Sequence, residues 1–186
     1  MKKGEFTLAQ AEDPEKGKCL EVAMDLGKNK DRSEYYTEYT TVRFRNPAPV
    51  EGEPDVIGVW VKGDSNWGQI RFEITDADGE VFKNLSTGKD WCCDVQDWPG
   101  NLAVNFDGWN FVYTMLKPTD LVRTHSPGPY ADQWVSEGGD KKIKFPIRIT
   151  AITVGMNRYQ TSLFRFLKET PGPAKILLKD AGTVSK

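Results

Sequence analysis

The sequence predicts an all-β fold, an antiparallel β-sandwich with few or no helices. Three observations lead there. Apolar and polar residues alternate at period two through Val56–Lys62 and Gln69–Thr75. Gly, Pro, Asn and Asp punctuate the chain roughly every ten residues. No segment carries a convincing helical apolar stripe over three turns.

The elements follow in order. Strands are expected at 18–25 and 36–45. In 56–62, Ile57, Val59 and Val61 share one face and Trp60 and Lys62 the other. In 69–75, Ile70, Phe72 and Ile74 point one way and Gln69, Arg71, Glu73 and Thr75 the other. Asp78-Gly79 then turns the chain into Glu80-Val81-Phe82. Further strands are expected at 102–106, 109–115, 147–155 and 174–179. The run Thr161–Leu167 is short and fits helix or strand. Ile57, Val59, Ile70, Phe72, Ile74, Phe106 and Val154 are the expected core. One domain over residues 1–186 is predicted, with an ordered core of about 4–182 and loose polar ends at Met1–Lys3 and Thr183–Lys186.

Composition narrows the function. The 25 Lys and Arg against 27 Asp and Glu leave a net charge of -2, so no basic excess exists to neutralise phosphates, and nucleic acid is not an expected partner. No uncharged apolar run reaches the length of a bilayer span. Six Trp, nine Phe and six Tyr exceed what a disordered chain carries. Cys19, Cys92 and Cys93 are odd in number and lack metal-ligand spacing, so no disulfide framework is expected. The start MKKGEFTLAQ has no apolar stretch behind its lysines and does not read as a signal peptide. That leaves a cytosolic protein or a domain of a longer secreted chain.

The run IGVWVKGDSNWGQIRFEITDADGEVF resembles a signature of galactose-binding-like, carbohydrate-binding-module β-sandwiches. An aliphatic strand holding a Trp ends in a Gly-Asp loop, and an alternating strand and an Asp-x-x-Gly hairpin follow. NFDGWNFVYTML and PIRITAITVGMNR with AKILLKDAG resemble later strands of the same families. The resemblance spans about residues 17–181, interrupted by an irregular insertion from Lys117 to Lys144. It implies jelly-roll connectivity. It also implies a bacterial module inside a secreted or surface glycan-processing protein, with neighbouring domains as partners and an extracellular, cell-surface or periplasmic location. A structural calcium held by a late Asp is common in such families, and Asp180 is the matching position.

A sugar offers a flat CH face rimmed by hydroxyls, so a glycan binder needs exposed aromatic rings beside polar side chains. Trp67 lies in the polar loop GDSNWG, Trp91 and Trp98 bracket WCCDVQDW, and Trp134 with Tyr130 lies in PGPYADQWVSEGG. These are the candidate carbohydrate-binding residues. Trp60 and Trp109 lie in strands and read as packing residues. Arg71 on a strand's polar face is a further candidate, able to hold a hydroxyl or sugar carboxylate bidentately.

Other chemistries find less support. Asp76–Gly79 places Gly at position four rather than six and fails the EF-hand pattern. The lone His125 precedes Ser-Pro-Gly-Pro, which reads as an exposed loop. Asp107-Gly108 reads as a turn. Asn84-Leu85-Ser86 is a glycosylation sequon. The expectation is therefore a monomeric, non-catalytic module binding a polysaccharide or oligosaccharide, with no cofactor beyond a possible structural calcium. Its rivals are a β-jelly-roll glycoside hydrolase or polysaccharide lyase, and a structural accessory domain without ligand.

Overall fold

A computed structural model describes residues 2–3, 5–24, 37–64, 68–84, 103–104, 106–116, 122–123, 134–136, 138–157 and 173–185. Among them there is no helix, and thirteen strands form two sheets. These are β1 (Lys2–Lys3), β2 (Phe6–Asp13), β3 (Gly17–Met24), β4 (Thr37–Arg43), β5 (Val56–Asp64), β6 (Gly68–Thr75) and β7 (Val81–Asn84), followed by β8 (Ala103–Val104), β9 (Asp107–Met115), β10 (Val122–Arg123), β11 (Trp134–Val135), β12 (Arg148–Asn157) and β13 (Ala174–Val184).

One sheet has the order β1-β4-β12-β6-β7-β11-β10, with β8 also on β6; the other has the order β2-β3-β13-β5-β9. All pairs are antiparallel except the two-residue β1–β4 and β10–β11 contacts. In the described residues the chain changes sheet from β1 to β2, β3 to β4, β4 to β5, β5 to β6, β8 to β9, β9 to β10 and β12 to β13. Such repeated crossing is what jelly-roll connectivity requires.

The alternation read in the sequence sets the core. Ile57, Val59 and Val61 from β5 meet Ile70, Phe72 and Ile74 from β6, joined by Ile152, Val154 and Met156 from β12. All nine are buried, and each β-branched or aromatic side chain fits the half-buried pleat it occupies. Phe106 departs from expectation. It is partly buried and packs against the core margin, because β8 and β9 are separated just where it sits.

Three further expectations are corrected, and one strand that the sequence did not announce appears. Strand pairing reaches into both ends expected to be loose: Lys2 and Lys3 pair with Glu38 and Tyr39, and Val184 pairs with Val56. Residues 6–13, which carry no clean alternation, form edge strand β2 because eight paired positions with β3 supply the ladder that the pattern did not announce. The insertion holds two short strands, of which β11 pairs with β7. Asp107-Gly108 lies inside β9, opposite Asp64 and Gly63; Gly108 takes φ +78° there without leaving the ladder.

The sequon asparagine is also not a surface acceptor. Asn84 is buried, and its side-chain oxygen accepts the Phe72 backbone N–H at 2.5 Å. Cys19 is a buried free thiol whose Sγ–H donates to the Ala11 carbonyl, and burial pushes its pKa up. Thr161–Leu167, His125, Cys92 and Cys93 lie outside the described residues.

Candidate functional site

Period-two geometry that buries Ile57, Val59 and Val61 must turn Gly58, Trp60 and Lys62 outward. On the neighbouring β9, Val112 and Thr114 are buried, so Trp109, Phe111 and Tyr113 face the same way. The register places Trp60 opposite Phe111, Lys62 opposite Trp109 and Gly58 opposite Tyr113. Four aromatic rings therefore occupy adjoining rows on the outer face of the five-stranded sheet.

Gly58 shapes this surface. A Cβ there would stand 2.4 Å from the Phe111 ring and 2.9 Å from the Val112 carbonyl oxygen. The Phe111 ring thus lies down against bare backbone. Trp60 leans on it at 5.5 Å between centroids with planes tilted by 56°. Phe111 and Tyr113 have centroids 6.3 Å apart and planes within 16° of parallel. Tyr113 keeps 36% of its surface exposed.

The tip of the β2–β3 hairpin closes one end of the strip. Asp13, buried there, accepts the Trp109 indole N–H at 3.0 Å on Oδ1, which also takes the backbone N–H groups of Glu15 and Lys16. Its Oδ2 meets the Lys62 ammonium at 2.6 Å. The Lys62 hydrogen bond, aided by the indole and backbone donors, outweighs burial and holds the Asp13 carboxyl far below the usual carboxylate range. Lys16 sets its Nζ 3.8 Å from the centre of the Trp60 ring and 5.7 Å from that of Trp109, a cation–π arrangement. The result is a half-open aromatic floor with a polar, charged rim.

The opposite sheet presents a different face. Arg43 forks onto Glu73 at 2.7 and 3.4 Å, and the Thr150 hydroxyl donates to the same carboxylate. Burial pushes Glu73 up, but the Arg43 contacts prevail and its pKa falls. Arg71, in the same strand, is desolvated enough to push its guanidinium pKa well below the usual arginine value. It stands on the other sheet from the aromatic strip and is not brought together with it.

A cleft of about 630 Å³ lies beside the β6–β7 turn, lined among others by Asp78, Glu80, Lys83, Val135, Asp140 and Lys144. Lys144 bridges Asp78 and Asp140, and Glu80 accepts the backbone N–H groups of Asp140 and Lys141. Among the described residues that line it, none is aromatic.

Trp134 is corrected from loop platform to core. Only 2% of it is exposed, and its indole donates to the Met115 carbonyl at 2.7 Å, tying β11 of one sheet to β9 of the other. A ring sealed between sheets offers no face to a sugar. Asp180, the candidate calcium position, lies at a local irregularity of β13. It sits at the β13 irregularity between Lys179 and Gly182, with φ +48°, a conformation Asp tolerates better than most residues. Its side chain is 74% exposed, and among the described residues no group of three His, Cys, Asp or Glu side chains is placed to hold a metal. Asp76 forms the hairpin turn itself, accepting the backbone N–H groups of Asp78 and Glu80. Trp67, Trp91, Trp98 and Tyr130 lie outside the described residues.

Trp60 and Trp109 do pack, but against the hairpin tip outside the sandwich. Phe111, Tyr113, Lys16 and Asp13 were not singled out in the sequence. The available signal was an aromatic at every second position from 109 to 113, beside a strand carrying Gly58 at the matching site.

No family model and no curated protein matches this chain. Among solved structures it is similar to an exo-β-agarase (11% identity, TM-score 0.46), to PfGH50B (13%, 0.46) and to an agarase, AgWH50C (10%, 0.40). Each alignment covers 98% of this chain but only 23%, 22% and 24% of those chains, respectively. The chain thus spans about a quarter of their length, and a likeness this distant carries no functional argument.

Proposed function

We propose that this domain is a non-catalytic carbohydrate-binding module acting on a polysaccharide outside the cytoplasm, and that the outer face of the five-stranded sheet is its binding surface. The observation that carries this reading is the near-parallel Phe111–Tyr113 pair, continued by Trp60 and Trp109 and rimmed by Lys16 and Lys62, which Asp13 anchors. Flat rings in a row suit the flat faces of successive sugars, and the rim suits their hydroxyls.

Asp13, Glu73 and Asp140 are displaced downward in pKa, so none of these three is poised as a general acid.

The test is affinity electrophoresis on a panel of neutral and charged polysaccharides, with reducing-sugar release measured in parallel. Phe111→Ala and Tyr113→Ala should weaken binding at least about tenfold, with Tyr113→Ala changing stability by less than about 1 kcal/mol. Trp67→Ala, Trp91→Ala and Trp98→Ala serve as comparators. Wild-type affinity in both strand variants would move the site elsewhere, and sugar release by the wild type would make the protein an enzyme.

A further inference from the structure

The ammonium groups beside the aromatic strip differ in the partners they have. Lys62 is committed to Asp13 at 2.6 Å, and Lys175 to Glu21 at 3.0 Å. Lys16 is different: among the described residues its ammonium has no carboxylate partner and rests only on the rings of Trp60 and Trp109. Lys179, cross-strand to Trp60 on the same face, gives its ammonium to the Lys18 carbonyl at 3.0 Å. Its remaining carboxylate contact is Asp180 at 4.0 Å, an exposed group that water screens. Asp13, the carboxylate buried among these groups, already accepts from Lys62, Trp109 and the hairpin backbone. Glu15 stands exposed at the turn.

We propose that the strip takes an anionic glycan, with a sulfate or carboxylate substituent seated against Lys16 and Lys179 while the sugar rings lie on Phe111 and Tyr113. This rests on the reading of the strip as a carbohydrate surface and names the class of carbohydrate. A neutral sugar uses the rings but brings no counter-charge to either ammonium. An anionic substituent gains charge-assisted hydrogen bonds from cations already held in place. Both anions share that chemistry, and the strength of their binding separates them.

The experiment measures the wild-type chain against κ-carrageenan (sulfated galactan), alginate (carboxylated), agarose (uncharged galactan) and dextran sulfate (a polyanion on an unrelated backbone). Carrageenan or alginate should bind at least about tenfold more tightly than agarose, and that preference should shrink at about 0.5 M salt. Lys16→Gln with Lys179→Gln should bring the ratio toward one. Lys16→Arg with Lys179→Arg should restore it, which separates charge from any loosening of the hairpin. The tighter of carrageenan and alginate identifies the anion. Equal affinity for agarose and the charged glycans overturns the inference and leaves the carbohydrate reading standing. Dextran sulfate bound as tightly as carrageenan, with no loss in Tyr113→Ala, also overturns it, as unspecific polyanion binding. Failure to bind any of the four overturns the carbohydrate reading itself.

Discussion

Asp13 concentrates four interactions in one buried carboxylate: an ammonium, an indole N–H and two backbone N–H groups. Because its folded pKa is depressed, its contribution to stability is fully present above the unfolded carboxyl value near 3.8 and is lost as pH falls below it. The wild type should therefore loosen its hairpin tip on acidification below about pH 4. Asp13→Asn should lack that component. Tryptophan fluorescence followed from pH 7 downward checks this, since Trp60 and Trp109 lie under the tip; identical acid profiles for the two proteins would remove Asp13 from the account. Trp134 makes the complementary case. Trp134→Ala should cost about 3–5 kcal/mol in urea unfolding through the cavity it leaves. Trp134→Phe should cost about 1–3 kcal/mol, because the part-buried Met115 carbonyl loses its donor.

At the scale of elements, the β5–β9 ladder makes the surface. Its register alone turns Trp60, Trp109, Phe111 and Tyr113 into neighbours, and Gly58 lets the Phe111 ring lie flat. Gly58→Ala places a methyl group inside that ring's volume. It should destabilise the domain by about 1–3 kcal/mol, as overpacking does, and lower glycan affinity by displacing Phe111. Urea unfolding and affinity electrophoresis on the same variant check both; unchanged affinity would show that Phe111 is no part of the floor. The β2–β3 hairpin was the element least legible beforehand. Strand β2 is an edge with four successive exposed positions, Thr7 to Gln10, so no buried face imprints an alternation on it. Strands β5 and β6 were legible because each presents one face to the core, and burial on one face is what writes period two into a sequence.

Across the whole molecule, core and surface separate along the same strands. Phe72→Ala should lower stability by about 3–5 kcal/mol and leave glycan affinity unchanged at temperatures where the variant is folded. Tyr113→Ala should do the reverse. Thermal melts paired with binding measurements decide it: coupled losses in both variants would mean that the strip is part of the folding core. By itself the sequence determined the class of fold, the inward faces of β5 and β6, the turn at Asp76–Gly79 and the aromatic richness that calls for exposed rings. Those features depend on neighbours two to four residues apart, where the backbone's own geometry dictates which side chains share a face. The tertiary structure alone decided that Trp134 seals the two sheets together, that Asp180 serves a backbone irregularity, and that Lys16 and Asp13 reach Trp60, Lys62 and Trp109. These contacts join residues from 19 positions apart, as in Trp134 to Met115, to 96 apart, as in Trp109 to Asp13. Their pairing is set by strand order and register, and no local periodicity encodes which strand will lie beside which.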